Sequence, residues 1–478
     1  MTWHDTMFWA WVFFLGEWTI RVIMLATVPF RRTPAAAKGW LLLIFFEPWI
    51  GLVLYLLIGR ATLPRRRIEQ ISRLPQVMSK VLDRLANHPN VFHPRLAPEL
   101  SQAVLLAENL GQMPVLGGNA AEILVDYDAV LDRLVADIDR AEHHTHLLFY
   151  IFADDRATAP VIAALGRASR RGVRCRVLVD SVGSRSAVST LIPKLTASGV
   201  AVREMLPVGL FRWGSARLDL RNHRKIAVID GRVAYTGSQN LVAADFKEGI
   251  TYEELMLRVT GPAVWDLQYI FAADWYLETD EVLDCDEVFP DLGIAGPVPI
   301  QALPSGPDFP TQNNQRLIVA LIHGASRRVV ITTPYFIPDE PLLQALQTAV
   351  LRGVDVHLVL SATSSQVVVS LAQQSYYEEL LEAGVKIHLY RQNFLHAKHL
   401  SIDDDIALIG TSNMDIRSFV LNAELVLVIY DPGVTGRLRA EQERYFSHCS
   451  LLTLEQWGRN SFARKLAQHL ARLFSPLL

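Results

Sequence analysis

Cysteine is scarce in this chain: Cys175, Cys285 and Cys449 are its only three, they are scattered, and no pair stands at CxxC spacing. That usage excludes a disulfide-stapled secreted scaffold, argues against a thiolate zinc site and favours a reducing compartment. An excess of one charge is missing too. Lys and Arg number 46 against 49 Asp and Glu, a formal net charge of -3, so nothing draws the chain toward nucleic acid. There is no GxSxG elbow and no P-loop, which removes the common serine-hydrolase and NTPase routes. What the chain does have is 478 residues, half of them hydrophobic, enough for about two or three domains with their own cores.

Two apolar runs stand first, "MFWAWVFFLGEWTIRVIMLATVPF" at 7–30 and "GWLLLIFFEPWIGLVLYLLI" at 39–58. Each is about as long as a helix that crosses a bilayer, so residues 1–64 are expected to form a two-helix membrane anchor. A cleaved signal peptide is the competing reading, but "MTWHDT" has no basic n-region and the second run would remain. Glu17 and Arg21 sit near the middle of the first run, where an unpaired charge is costly, and their i,i+4 spacing lets them pair. The connection carries Arg31, Arg32 and Lys38, and the far side carries Arg60, Arg65, Arg66 and Arg67. Four against three weakly favours a cytoplasmic body under the positive-inside rule. The triple arginine suits anionic headgroups, or is a solvated flank.

Residues 65–110 read as an amphipathic neck. Further on, "FPDLGIAGPVPIQALPSGPDFP" at 289–310 holds too many prolines for a helix or a central strand. It marks a linker, 291–310, between a first domain at 111–290 and a second at 311–478. The two halves repeat one order of segments. "HLLFYIFADD", a helical "APVIAALGRASRRGV" and alternating "VRCRVLVDS" are answered by "RVVITTPYFIPDE", "PLLQALQTAVLRGV" and "VDVHLVLSA". Strand, helix, strand in each half means an α/β body with parallel pairs under helical cover, and internal duplication is the economical account.

The repeat extends to chemistry. "RNHRKIAVID" at 221–230 carries His223, Lys225 and Asp230, and "LHAKHLSIDD" at 395–404 carries His396, Lys398 and Asp403 at the same spacing. Alternate strand residues share a face, so each His and Lys point together. Asp230-Gly231 signals a two-residue hairpin; without a bulge it pairs Ile229 with Arg232 and His223 with Ser238. "GSQN" at 237–240 then returns beside His223, and "GTSN" at 410–413, with Ser412 and Asn413, beside His396. Each half thus offers an imidazole, an ammonium, a hydroxyl and a carboxamide, Asn240 or Asn413, at one strand end. Two such ends meeting across a pseudo-twofold suit a phosphodiester without metal or cofactor. The ammonium groups stabilise charge on phosphorus oxygens, one neutral imidazole attacks, and a protonated one serves the leaving alcohol. Solvated strand edges with turn-forming aspartates would explain one copy, and the second copy disfavours that reading.

H-x-K-x4-D-x6-G-x2-N, present twice, resembles the phospholipase D superfamily signature. "RNHRKIAVIDGRVAYTGSQN", "TPYFIPDEPL", "FLHAKHLSIDDDIALIGTSNMDIRSF", "LNAEL", "PWIGLVLYLLIG" and the closing "LARLFSPLL" resemble the bacterial cardiolipin synthases of the two-span type over nearly the whole chain. The resemblance implies two phospholipase D-like α/β domains related by duplication behind two transmembrane helices, in a bacterial inner membrane. It implies a transesterification with phosphatidylglycerol as donor and acceptor, giving cardiolipin and glycerol through a phosphatidyl-histidine. By position, His223 is the nucleophile and His396 the acid and base. Lys225, Lys398, Asn240 and Asn413 hold phosphate oxygens, Ser238 and Ser412 stand beside them, and Asp230 and Asp403 support the histidines or their loops. Anionic membrane lipids are expected contacts, nucleic acid is not, and a homo-oligomer is left open. Glu17, Arg21 and Glu47 depart from the family's apolar membrane pattern, and "FKEGITYEELMLRV" matches it only loosely.

Other features fit less. His143, His144 and His146 lack an acidic or thiol partner at ligand spacing, and Asp404 and Asp405 read as a polar turn beyond Asp403. "GLFRWGSARLDLRNHRK" mixes Phe211 and Trp213 with Arg212, Arg217, Arg221 and Arg224 and suits a headgroup surface, with a packed loop as the alternative. Phe462, Leu466, Leu470 and Leu473 recur at helical spacing beside Arg464, Lys465 and Arg472; core packing is favoured over a lipid face. The competing functions are a hydrolase on the same scaffold and a noncatalytic lipid-binding protein.

Overall fold

Proline and charge decide how the apolar amino terminus folds in the structure, a computed structural model that describes residues 3–32, 34–59, 63–208, 219–364 and 366–475. Helix α1, Trp3–Thr27, contains Met7–Thr27, the one helix among the described residues long and apolar enough to cross a membrane. The second run does not form the expected span. It breaks into α2, Pro34–Phe46, and α3, Pro48–Ile58, of 13 and 11 residues. At 1.5 Å per residue these reach about 20 Å and about 17 Å, against a hydrocarbon core of about 30 Å. Pro48 is the cause: it has no N–H to give, and it excludes Glu47 from helical geometry, leaving that residue at φ -130° and ψ 78°.

The two short helices fold back on each other. Trp40 and Tyr55 meet with ring centroids 5.3 Å apart, and the Arg32 guanidinium donates to the Gly59 carbonyl at the end of α3. A Cβ on Gly51 would lie 2.8 Å from the Ile44 Cα, so only glycine permits this approach. The hairpin tip meets the middle of α1, where Trp49 packs on Phe13 with centroids 6.1 Å apart. Arg21, paired with Glu17 at 3.2 Å, also donates its Nε to the Phe45 carbonyl at 3.1 Å. The mid-helix charges therefore satisfy a carbonyl that the break at Pro48 leaves open.

Beyond the apolar helices the described residues build one 16-stranded sheet, fifteen strands in one path and Arg221–Asn222 paired off it to Asn422–Ile429. From the middle outward, the first half runs Leu116–Leu124, Met256–Thr260, Val233–Gly237, Lys225–Ile229, His144–Phe149, Arg174–Asp180, Ala201–Met205. The second half runs Val298–Ser305, Asn422–Ile429, Ile406–Gly410, His399–Ile402, Arg328–Thr332, Asp355–Ser361, Lys386–Tyr390, with Cys449–Leu452 added outside. One strand order occurs twice, and the outer strands of each half are parallel, joined by covering helices.

The halves meet where Leu116 pairs with Ile300 and Asn119 with Val298. Residues 298–305 of the expected linker thus form a central, fully buried strand, against the proline argument. Pro304 is tolerated because its carbonyl accepts from the Asn313 side chain, on a side with no ladder to complete. Residues 65–86 are also more than a neck: Met78, Val81 and Leu85 are buried in the principal core with Leu267 and Phe271. The carboxyl-terminal helix Phe462–Arg472 departs from the expected core packing. Gln468 and Ala471 are buried, whereas Phe462, Leu466, Leu470 and Leu473 are exposed.

Candidate active site

Both histidine segments enter β structure at their lysines or just after: Lys225–Ile229 hairpins with Val233–Gly237, and His399–Ile402 with Ile406–Gly410. The register differs by one residue from the bulge-free count. Ile229 lies opposite Val233 and Ile402 opposite Ile406. Asp230 and Gly231 take φ of 51° and 61°, and Arg232 N donates to Ile229 O, so a tight turn forms and Arg232 is left as a bulge. Asp403, at φ 49°, starts the matching turn.

These aspartates are not brought to the histidines. Lys225 and Asp230 stand at opposite ends of a strand, about 16 Å apart at 3.3 Å per residue. Asp230 accepts the backbone N–H groups of Glu142, His143 and His144 at 2.8–2.9 Å. Asp403 accepts those of Ser326, Arg327 and Arg328 at 2.8–3.0 Å. Each carboxylate ties a hairpin turn to the start of the neighbouring strand.

At the other strand ends the halves exchange partners. The strand Arg221–Asn222 pairs in parallel with Asn422–Ala423, and His223 N donates to Ala423 O at 2.8 Å. Reciprocally, Phe394–Leu395 pairs with Tyr252–Glu253, and His396 N donates to Glu253 O at 2.8 Å. Each exchange aligns a buried glutamate with an imidazole. His223 Nδ1 bonds Glu424 at 3.0 Å, and His396 Nδ1 bonds Glu254 at 2.6 Å. Arg224, facing the opposite way, donates to the Glu424 carbonyl and to the Asp274 carboxylate, clamping the same junction. Glu254 and Glu424 lie outside the expected set; their only trace in the sequence is an acid-Leu pair, "EEL" and "AEL", after each G-x2-N.

Both histidines line one cavity of about 420 Å³, with Asn240, Asn413 and the aromatic rings of Tyr150, Tyr252 and Tyr335. Tyr150 stands edge-on to His223 at 4.9 Å, and Tyr252 to His396 at 5.3 Å. Lys225 and Lys398 lie buried beneath, each donating to the carbonyl of its own histidine. The serines are placed differently. Ser238 exchanges hydrogen bonds with the Leu255 backbone, and its counterpart at that position is Thr411, which donates to Glu424. Ser412 sits one residue further on and donates to the Asn413 carbonyl. Of the residues expected at a headgroup surface, Phe211, Arg212, Trp213 and Arg217 lie outside the described residues, whereas Arg221 and Arg224 are buried, paired with Asp180 and Asp274. His144 and His146 are buried against Gln268, away from this cavity.

A family model described as "Cardiolipin synthase, PLD-like domain" matches residues 134–275 and 318–448, once in each half. Cardiolipin synthase A of Pectobacterium carotovorum subsp. carotovorum (strain PC1) is 34% identical over 486 residues, 98% of this chain and 98% of its own. That of Yersinia pseudotuberculosis serotype O:1b (strain IP 31758) is 34% identical over 488 residues, with the same coverage. The chain belongs to the cardiolipin synthase family. Among solved structures, phosphatidylserine synthase of Haemophilus influenzae Rd KW20 is similar with a TM-score of 0.59 at 15% identity, covering 79% of this chain and 98% of that one. That likeness is one of fold.

For a cardiolipin synthase the electrostatics of the cavity are apt. Burial lowers the pKa of His223, an effect that Glu424 opposes and Lys225 reinforces. Burial brings His396 down to about 4 against the pull of Glu254. Lys225 falls to about 7 and Lys398 to about 8, again chiefly by burial. Burial alone would raise both glutamates, but the neighbouring imidazoles and lysines hold them below their ordinary value. Near neutral pH both rings are therefore uncharged, with Nδ1 committed to a carboxylate and Nε2 free. An anionic phosphodiester among these groups favours the ammonium forms and one imidazolium.

Proposed function

We propose that this enzyme transfers a phosphatidyl group from one phosphatidylglycerol to another, releasing glycerol. The observation that carries the reading is the pair of histidines in one cavity, each with Nδ1 held by a glutamate from the opposite half. That bond fixes the tautomer in which Nε2 is an unprotonated nucleophile. His223 Nε2 attacks phosphorus and the P–O bond to the headgroup glycerol breaks, while protonated His396 gives its proton to the departing oxygen. A second phosphatidylglycerol then loses its terminal hydroxyl proton to His396 and attacks phosphorus, breaking the P–N bond and forming cardiolipin. Lys225, Lys398, Asn240 and Asn413 stabilise the equatorial oxygens. Asp230 and Asp403 act only by holding the hairpins.

The repeated strand order supports internal duplication. The reduced cysteines and the basic flank of the anchor support a bacterial cell membrane with the catalytic body on its cytoplasmic side. Purified enzyme with phosphatidylglycerol vesicles, and no nucleotide-activated lipid, should yield cardiolipin and free glycerol together. His223→Ala and His396→Ala should each abolish both products. Phosphatidic acid as the main product would favour a hydrolase, and unchanged turnover in either variant would discard the two-histidine mechanism.

A further inference from the structure

The cardiolipin-forming reading leaves one surface unexplained. On the helix Phe462–Arg472 and the turn after it, Phe462, Leu466, Leu470, Leu473 and Phe474 form an exposed apolar face, with Phe462 82% and Leu473 74% accessible. The helix lies on Val367–Gln374 through Gln468 to Gln374 at 3.1 Å, and Lys465 reaches Glu378 of the next helix, Tyr377–Ala383, at 2.7 Å. That second helix begins with exposed Val367 and Val368, and its Gln366 and Val369 belong to the wall of the catalytic cavity. Apolar side chains thus extend from the mouth of the cavity along the carboxyl-terminal helix.

The position of this face relative to the anchor decides what covers it. Arg66 and Arg67, just past the apolar helices, pair with Asp280 and Glu278. Glu278 also accepts from Leu206 N, directly after the strand Ala201–Met205. On the other half, Gln373 of the helix bearing Val367 accepts from Phe336 N, just beyond the strand Arg328–Thr332. Anchor, cavity mouth and apolar face therefore share the carboxyl ends of the parallel strands. A bilayer holding α1 runs along that edge, and a helix apolar on one side with Arg464, Lys465, His469 and Arg472 around it matches an interfacial layer.

We propose that Phe462–Arg472, with Val367 and Val368, is an interfacial helix that beds the cavity mouth into the headgroup layer of a phospholipid bilayer. Resting on the lipid-substrate reading, it would bring phosphodiester groups to the histidines without lifting a lipid out of the membrane. The test uses the full chain in nanodiscs of phosphatidylglycerol and phosphatidylethanolamine. With exposed Cys285 and half-buried Cys449 changed to Ser, an environment-sensitive fluorophore is attached at Leu470→Cys. A second preparation carries it at Leu351→Cys, exposed at the opposite strand ends.

Spin-labelled lipids should quench the fluorophore at 470 and leave that at 351 unaffected. The triple variant L466S/L470S/L473S should lose about tenfold in turnover on bilayer phosphatidylglycerol, about 1.4 kcal/mol of interfacial binding. It should keep wild-type turnover on dihexanoyl phosphatidylglycerol in detergent. Equal quenching at both positions, crosslinking between copies through residue 470, or equal loss of turnover in both presentations would overturn the proposal. If wild-type enzyme makes cardiolipin in neither presentation, the reaction is misread, and the quenching comparison still decides the surface.

Discussion

Replacing Glu424 by Gln removes one charge from the cavity and changes little else in shape. Glu424 is fully buried, bonds His223 Nδ1 at 3.0 Å and accepts from Thr411. A hydrogen bond to a charged group contributes about 1.5–3 kcal/mol, so loss of orientation and imidazolium support costs about 10- to 150-fold in rate. A further loss comes from chemistry, because a glutamine amide can donate to Nδ1 and move the ring proton onto Nε2, the attacking atom. Together these predict a fall in kcat of about 1,000-fold, roughly tenfold less than the loss of about 10⁴-fold when a triad carboxylate becomes an amide. Chemical quench with radiolabelled phosphatidylglycerol separates the steps. The Glu424→Gln enzyme should fail to accumulate phosphatidyl-enzyme, whereas Glu254→Gln should form it and release it slowly. Retention of kcat within about fivefold, with the melting temperature unchanged, would refute the claim that the cross-half glutamates govern the histidines.

Three other outcomes follow from the structure. Burial holds Lys225 near 7 and Lys398 near 8, so both ammonium groups are lost as pH rises; affinity for a soluble phosphodiester such as glycerophosphoglycerol should fall above about pH 8 by up to about tenfold per unit for each ammonium lost, and a flat profile to pH 9 would contradict it. Burial raises Asp403, but three backbone N–H groups and Ser326 outweigh it and leave its pKa below the ordinary value; its stabilisation is present above that ordinary value and lost as pH falls through the depressed one. Asp403→Asn should therefore cost about 2–3 kcal/mol at neutral pH and less in acid, read by denaturant unfolding, with kcat kept on the folded fraction. Gly51→Leu places a side chain where the Ile44 Cα is already 2.8 Å from a Cβ, and should lower the thermal stability of the purified enzyme by about 1–3 kcal/mol without altering the KM for a soluble donor.

The two H-x-K segments, their strand character and the return of G-x2-N were legible because strand periodicity and turn chemistry are local. The one-residue bulge at Arg232 escaped the count because it depends on how the turn meets the ladder. Glu254 and Glu424 were hidden for a deeper reason: each is matched to a histidine 142 or 201 residues away in the other half. No spacing rule reaches that far. Pro299 and Pro304 pointed away from a central strand, yet Pro304 lies where the strand lacks a neighbour on one side and Pro299 at the register shift between the Leu116 and Asn119 pairs, and both places tolerate a missing N–H. The carboxyl-terminal stripe showed its period plainly, but periodicity does not say whether a stripe meets protein or lipid.

The α2–α3 hairpin changes how the anchor's charges add up. With two crossings, the basic residues on either side of the second apolar run would oppose one another across the membrane and nearly cancel. A hairpin instead brings its two ends together, Arg32 to Gly59, so Arg31, Arg32, Lys38, Arg65, Arg66 and Arg67 would stand on one side of a bilayer that the segment entered and left by the same face. A single proline would then turn two opposed basic flanks into one.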